Sequence, residues 1–333
     1  VHNLLDPAIL FFVFGVLAGT IRSNLEIPPA IARFLSLYLL MALGLKGGFA
    51  LSHAGLSDAV GTSLAAAILL AVAIPLLGFG VLRRLTTELD AAAVAATYGS
   101  VSAVTFVTAA QYLDAHAIAW GGHMAAAMAL MESPAIIMAV VLANRLRTPG
   151  DRGLSLAVDA TTHPPSRGRV ISIGKVLHES FTDGAQLLLI GSMAVGILTG
   201  DAGKAAMQPF SGDLFKGMLS FFLLDMGLMT ARNLPALRGR SPALLAYAII
   251  GPVVHALIAL ALGRLFALPP GDGALLIVLA ASASYIAVPA VLRFAIPEAN
   301  PSLYLGLSLG VTFPLNILVG IPVWVALARH VLS

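Results

Sequence analysis

The chain is predicted to be an all-α, polytopic membrane protein with ten transmembrane helices in two inverted five-helix repeats. Three observations lead there. The composition is too apolar for a wet surface, ten apolar stretches approach the thickness of a bilayer, and several motifs recur about 180 residues apart. Apolar residues make up 59% of the 333 and charged residues 11%, with a mean hydropathy of +0.94. A soluble domain carries roughly 25% charged residues. A helix needs about 20 apolar residues to cross the hydrocarbon layer, and lipid leaves the backbone no partner outside the segment.

The first five spans are Pro7–Ile21, Ala30–Leu45, Ser63–Leu82, Ala91–Tyr112 and Gly121–Leu142. The second five are Ala185–Thr199, Phe215–Met229, Pro242–Phe266, Ala274–Phe294 and Leu303–Ala328. Between them, Asn144 to Asp183 is polar, holds Pro149, Pro164 and Pro165, and reads as a partly disordered linker. This divides the chain into a first repeat (1–143), a linker (144–183) and a second repeat (184–333).

Charge orients the bundle. Arg22, Arg33, Arg83, Arg84, six basic residues of the linker, Arg232, Arg238, Arg240 and Arg293 fall on one side. Lys46, Lys204, Lys216, Arg264 and Arg329 fall on the other. The richer side is cytoplasmic by the positive-inside rule. Both termini are then expected outside an inner (plasma) membrane. The net charge of +3 comes from residues at span ends, so it is no nucleic-acid signal.

The halves share features. LFFVFGVLAG in the first span resembles LLLIGSMAVGILTG in the sixth. Gly44-Leu45 matches Gly227-Leu228, Ser100-Val-Ser102 matches Ser282-Ala-Ser284, and Pro134 matches Pro314. Inverted repeats of this kind build secondary transporters, whose sites form where helices break. The fourth and ninth spans carry mid-span hydroxyls beside Gly99 or Pro289. Unwinding there exposes half-helix N-termini to an anion and oxygen atoms to a hard cation such as Na⁺. Small residues also serve close helix packing, but two such motifs at matched positions favour a site.

Glu132 and Asp225 lie inside spans, where a charge costs about 2.5–3.5 kcal/mol on insertion scales. Glu132, beside Ser133 and Pro134, reads as an ion-binding group. Asp225 reads either as a second one or as a structural partner for a cation such as Lys46. Asn316 is a polar partner or an interhelical hydrogen-bonding group. The histidines are scattered and show no metal spacing, and there is no HExxH motif or phosphate loop. The chain has no cysteines, which excludes disulfides and thiol catalysis, and its serines have no His–Asp framework for hydrolysis, so an enzyme is not expected. Tyr112, Trp120 and Trp324 read as interfacial anchors.

The Ser100–Ser102 run, the Gly-Leu-Lys46-Gly-Gly segment and Ala281-Ser-Ala-Ser-Tyr285 … Ile296-Pro-Glu-Ala-Asn-Pro-Ser-Leu-Tyr304 resemble the SbtA-type sodium-dependent bicarbonate transporter family along essentially the whole chain. The resemblance implies crossed, broken fourth and ninth helices, a core moving against a gate in an elevator-like cycle, a homotrimer in membrane lipid, and a PII-like regulatory protein on the cytoplasmic side. It places Gly99, Ser100, Ser102, Thr105, Ser282 and Ser284 around the anion and sodium, and Tyr285, which stands outside the family pattern, joins them as a candidate hydrogen-bond donor to the anion. With the residue reading above, Glu132, Ser102, Ser284, Asn316 and Asp225 are the candidates for Na⁺. One departure stands out. Cyanobacterial members read Ser-Ser-Ser-Asp and then Gly-Pro-Pro in the ninth span, where this chain has Ser282-Ala-Ser-Tyr285 and Val288-Pro-Ala290. Glu132 stands where those members have an aspartate. Sodium-coupled uptake of bicarbonate or a similar small carboxylate is the principal expectation. Cation/proton antiport and a non-transporting membrane sensor are the alternatives.

Overall fold

A computed structural model describes residues 6–54, 58–146 and 184–333. Of the expected linker, 144–183, the first three residues complete α6 and 147–183 lie outside the described residues. The described residues contain helices and no strand: α1 Pro7–Thr20, α2 Pro29–Ala54, α3 Asp58–Leu82, α4 Glu88–Gly99, α5 Ala103–Ala115, α6 His123–Leu146, α7 Gly184–Met207, α8 Phe215–Asn233, α9 Pro242–Leu265, α10 Pro270–Ala281, α11 Ala287–Ala295 and α12 Pro301–Val331. Seven helical segments are long and apolar enough to cross a membrane. One of them, Gly184–Leu237, contains both α7 and α8, while α1 and α10 are shorter apolar helices. The chain is a polytopic helical membrane protein.

Helix starts follow ordinary capping chemistry. Asp6 caps α1 ahead of Pro7, accepting from Ala8 N–H at 2.8 Å. Thr87 caps α4, and Asn300 caps α12 ahead of Pro301. The main departures from the expected spans lie at glycines. α2 continues past Leu45 to Ala54, because Gly47 and Gly48 are contact points with other helices and do not end it. α7 continues past Thr199 to Met207 through a kink at Gly200, where φ is +51°, a value glycine adopts readily. α6 runs through Pro134. α12 runs through Pro314 but with π-helical turns at Ser308–Thr312 and Asn316–Gly320, a common way of accommodating a lost backbone donor.

Packing groups the helices differently from the sequence halves. α1 packs on α8 and α2 on α7, and these four helices form one bundle. The second bundle is built from α3–α6 and α9–α12. Backbones in the first bundle touch at glycines, the small-residue packing of membrane helices. A Cβ on Gly227 would meet Phe12 O, Gly15 Cα and Val16 N, and one on Gly48 would meet Met193 O, Gly196 Cα and Ile197 N. The two contacts correspond atom for atom. Gly44, one helical turn before Gly48, also packs closely, against Leu189 O and Ser192 Cβ.

In the second bundle α4 and α10 are buried almost all round, from Ala91 to Gly99 and from Gly271 to Ala281. Their alanine- and leucine-rich sequences have no polar face to offer lipid or water. Each outer end is fastened by an aspartate. Asp90 Oδ1 accepts from Asn300 N–H at 2.7 Å, and Asp272 Oδ1 accepts from Gly121 N–H at 2.5 Å. His123 Nε2 lies 3.5 Å from Asp272 Oδ2, so this histidine joins a pair instead of standing alone. Trp324 is also not an interfacial anchor. It is buried and donates to Asn316 Oδ1 at 3.1 Å.

Candidate functional site: a cavity at the crossing of two broken helices

The helix of the fourth span breaks after Gly99, and α5 restarts at Ala103. The helix of the ninth breaks after Ala281, and α11 restarts at Ala287. Ser100 and Ser282 take up extended backbone, with ψ of −177° and 171°. Gly99 permits the first break to sit close to α3, since a Cβ there would collide with the ring of Pro75. The unwound segments are stitched together. Ser102 N–H donates to Ser282 Oγ at 2.9 Å, and Ser284 N–H donates to Thr97 O at 2.8 Å. Ser102 Oγ caps α5, accepting from Thr105 N–H at 3.2 Å and from Thr105 Oγ1 at 2.9 Å. Ser284 Oγ accepts from Val288 N–H in the first turn of α11 at 3.3 Å.

The carbonyls freed at the ends of α4 and α10 are largely occupied. Thr97 O takes Ser284 N–H, Leu279 O takes Ser282 Oγ at 2.8 Å, and Ala281 O takes Asn316 Nδ2 at 2.7 Å. The side chain of Asn316 is fully engaged, because Nδ2 also reaches Thr312 O and Oδ1 holds Trp324. It braces the end of α10.

Between the two bundles lies a cavity of about 210 Å³, bordered by Ser102, Glu132, Gln186, Ser284 and Tyr285 among others. The first residues of α5 and of α11, Ala103 and Ala287, also border it. Both half-helix N-termini, with the backbone donors a helix leaves unpaired in its first turn, therefore face one space. Gln186 of α7 donates through Nε2 to Glu132 Oε2 of α6 across it. Tyr285 packs edge-on against Phe313 with ring centroids 5.1 Å apart. Its buried hydroxyl lies beside Ser102 and has no hydrogen-bond partner.

Of the residues singled out from sequence, Ser102, Ser284, Tyr285 and Glu132 border the cavity. Ser282 and Thr105 stand behind them as hydrogen-bond partners. Ser100 is buried with an unpartnered hydroxyl, and neither it nor Gly99, Asn316 or Asp225 borders the cavity. Asp225 is buried in α8, where the charge acting on it is that of Arg232. Lys46 does not pair with it: its Nζ lies 3.4 Å from Asp114 Oδ2 and 4.2 Å from the Phe215 ring centroid. Sequence reasoning missed Ser36 and Gln186. A lone glutamine in an apolar span would have flagged itself by the criterion that selected Glu132.

A carboxylate and three serines, Ser36, Ser102 and Ser284, on the cavity wall suit a hard cation such as Na⁺, and two helix N-termini suit an anion. A cavity with both, at paired helix breaks in a polytopic bundle, is the arrangement of a secondary transporter. The Na⁺-dependent bicarbonate transporter superfamily matches residues 7–329, and the chain belongs to that family. No curated protein matches the chain. The family is one of transporters, not enzymes, and its sodium dependence makes Na⁺ the coupling ion.

Proposed function

We propose that the protein imports bicarbonate or a similarly small carboxylate together with Na⁺, binding both in the cavity where the broken helices cross. The observation that carries this is the cavity's charge. Among the described residues it is bordered by one carboxylate, Glu132, and by no Lys or Arg. An anion entering alone would meet helix N-termini but also the Glu132 charge in a poorly solvated space, where like charges repel strongly. A cation beside Glu132, Ser102 and Ser284 removes that repulsion, so each ion favours the other.

The atom-for-atom glycine contacts of α1 with α8 and of α7 with α2 support ten spans in two inverted repeats. So do the matched aspartate fastenings. In this reading the bundle of α1, α2, α7 and α8 is the stationary gate, and the crossed helices travel with the core. Both termini lie outside and the 147–183 segment inside the inner membrane. Trimeric assembly and a cytoplasmic PII-like regulator are expectations from the family resemblance.

Counterflow of labelled bicarbonate into proteoliposomes, with and without a sodium gradient, tests the reading. Uptake that rises with inward sodium is expected. Uptake indifferent to sodium would remove the coupling, and sodium-driven proton flux without any anion would replace the proposal with antiport.

A further inference from the structure

The cavity has a smaller counterpart further along α5. A crevice of about 40 Å³ is bordered by Asp6 and Ile9 at the start of α1, Leu219 of α8, Thr108 and Gln111 of α5, and Ile317 of α12. The cavity of about 210 Å³ is bordered by α7, α2, α11 and α6. These are the repeat partners of the same four helices, so the two spaces have equivalent walls. The glycine contacts set the match to the residue. Gly48 and Gly227 make corresponding contacts. Leu40 and Leu219 each lie eight residues before them, one on the cavity and the other on the crevice.

The same reference places a charge on each helix. Two residues before each glycine stand Lys46 on α2 and Asp225 on α8, opposite in sign. Lys46 ties α2 to Asp114 of α5, with Nζ 3.4 Å from Oδ2. On α11, the partner of α5, the one base is Arg293. It follows Ser284 by nine residues, while Asp114 follows Ser102 by twelve. Arg293 is thus one helical turn short of the place that Asp114 holds, a spacing that keeps both on one helix face. Asp225 is buried, and its carboxylate has no ion pair or hydrogen bond among the described residues. Arg293 is exposed, its charge acting on Tyr304. A mirrored pair is therefore open while Lys46–Asp114 is closed.

We propose that the crevice is the closed doorway of the opposite-facing state, and that reaching that state exchanges the Lys46–Asp114 pair for one between Asp225 and Arg293. In an inverted repeat that rocks about a central site, the contacts made by one half in one state are made by the other half in the next. Each tie forms where the bundles close and breaks where they part, so the doorways open one at a time. The inference rests on the gate-and-core reading of the two bundles and not on the cargo.

Leu219→Cys reports on the doorway. The position is fully buried, so a charged thiol reagent in detergent solution reaches it when the crevice opens, and the chain has no cysteine of its own. Ile317→Cys, equally buried, is the second reporter should the first fail to fold. Lys46→Gln removes the tie of the present state and should speed labelling by up to about fivefold, for a pair worth about 1 kcal/mol. Asp225→Asn and Arg293→Gln remove the tie of the other state and should slow labelling by as much, through a shift in the populations of the two states. The exchanged pair, Asp225→Arg with Arg293→Asp, should restore the rate. Faster labelling with Asp225→Asn marks a merely structural carboxylate and overturns the inference, as does labelling that none of the variants moves. Labelling that responds with both signs, in a protein whose uptake ignores sodium, supports the inference and removes the cargo reading alone.

Discussion

Glu132 and Gln186 come from different halves of the chain and meet across the cavity. Their chemistry makes separable demands. Glu132→Gln keeps the shape and removes the charge that a cation would answer. Uptake by this variant should lose its steep dependence on sodium, with the sodium concentration for half-maximal uptake rising at least about tenfold, the worth of about 1.4 kcal/mol. Ser284→Ala removes the acceptor of the Val288 N–H in the first turn of α11 and a hydroxyl of the cavity wall. A lost hydrogen bond of this kind costs about 1 kcal/mol, so thermal unfolding in detergent should move little while uptake falls markedly. Normal transport by Ser284→Ala would count against the site. Because the chain has no cysteine of its own, Ser102→Cys supplies a single reporter. Labelling by a charged thiol reagent should be slowed most when Na⁺ and anion are present together.

At the level of elements, the breaks in the fourth and ninth spans were legible in sequence, because glycine, proline and clustered hydroxyls interrupt otherwise apolar helices. The occupation of the freed carbonyls was not. Whether Ala281 O is offered to an ion or held by Asn316 depends on a contact between residues 35 apart along the chain, which no local pattern encodes. The aspartate fastenings were equally hidden. Asp90 and Asp272 stand at matched places in the two halves, but a first-turn aspartate is also ordinary helix chemistry. Their importance is measurable: Asp272→Ala leaves the Gly121 N–H without its acceptor, at a cost of about 1–3 kcal/mol. Asp272→Asn, which retains a carbonyl oxygen, should recover part of it in thermal melts. Gly48→Leu should destabilise more severely, since the new side chain meets the backbone of α7 and a packed helix pair has no room to yield.

For the whole molecule, composition settled the class, and repeated motifs suggested two related halves. The grouping of α1, α2, α7 and α8 apart from the rest required coordinates, since it follows from which surfaces meet. The polar ties between the groups are few enough to test singly. Lys46 of α2 reaches Asp114 of α5 with both side chains partly exposed, at 25% and 38%, so the pair contributes about 0–1 kcal/mol. Lys46→Gln should leave the melting temperature almost unchanged but alter the uptake rate at saturating sodium, if the two groups slide past each other in each cycle. An unaltered rate would argue that this tie opens outside the slow step.

The two crossed helices are fixed at three places: by an aspartate at either extremity and by the serine stitching at the centre. Each helix of the pair is thus held where it begins and again where it breaks, like two planks nailed at opposite ends and lashed together in the middle. In the proposed transport cycle, whatever rests on that crossing is released when the crossed pair moves as one piece.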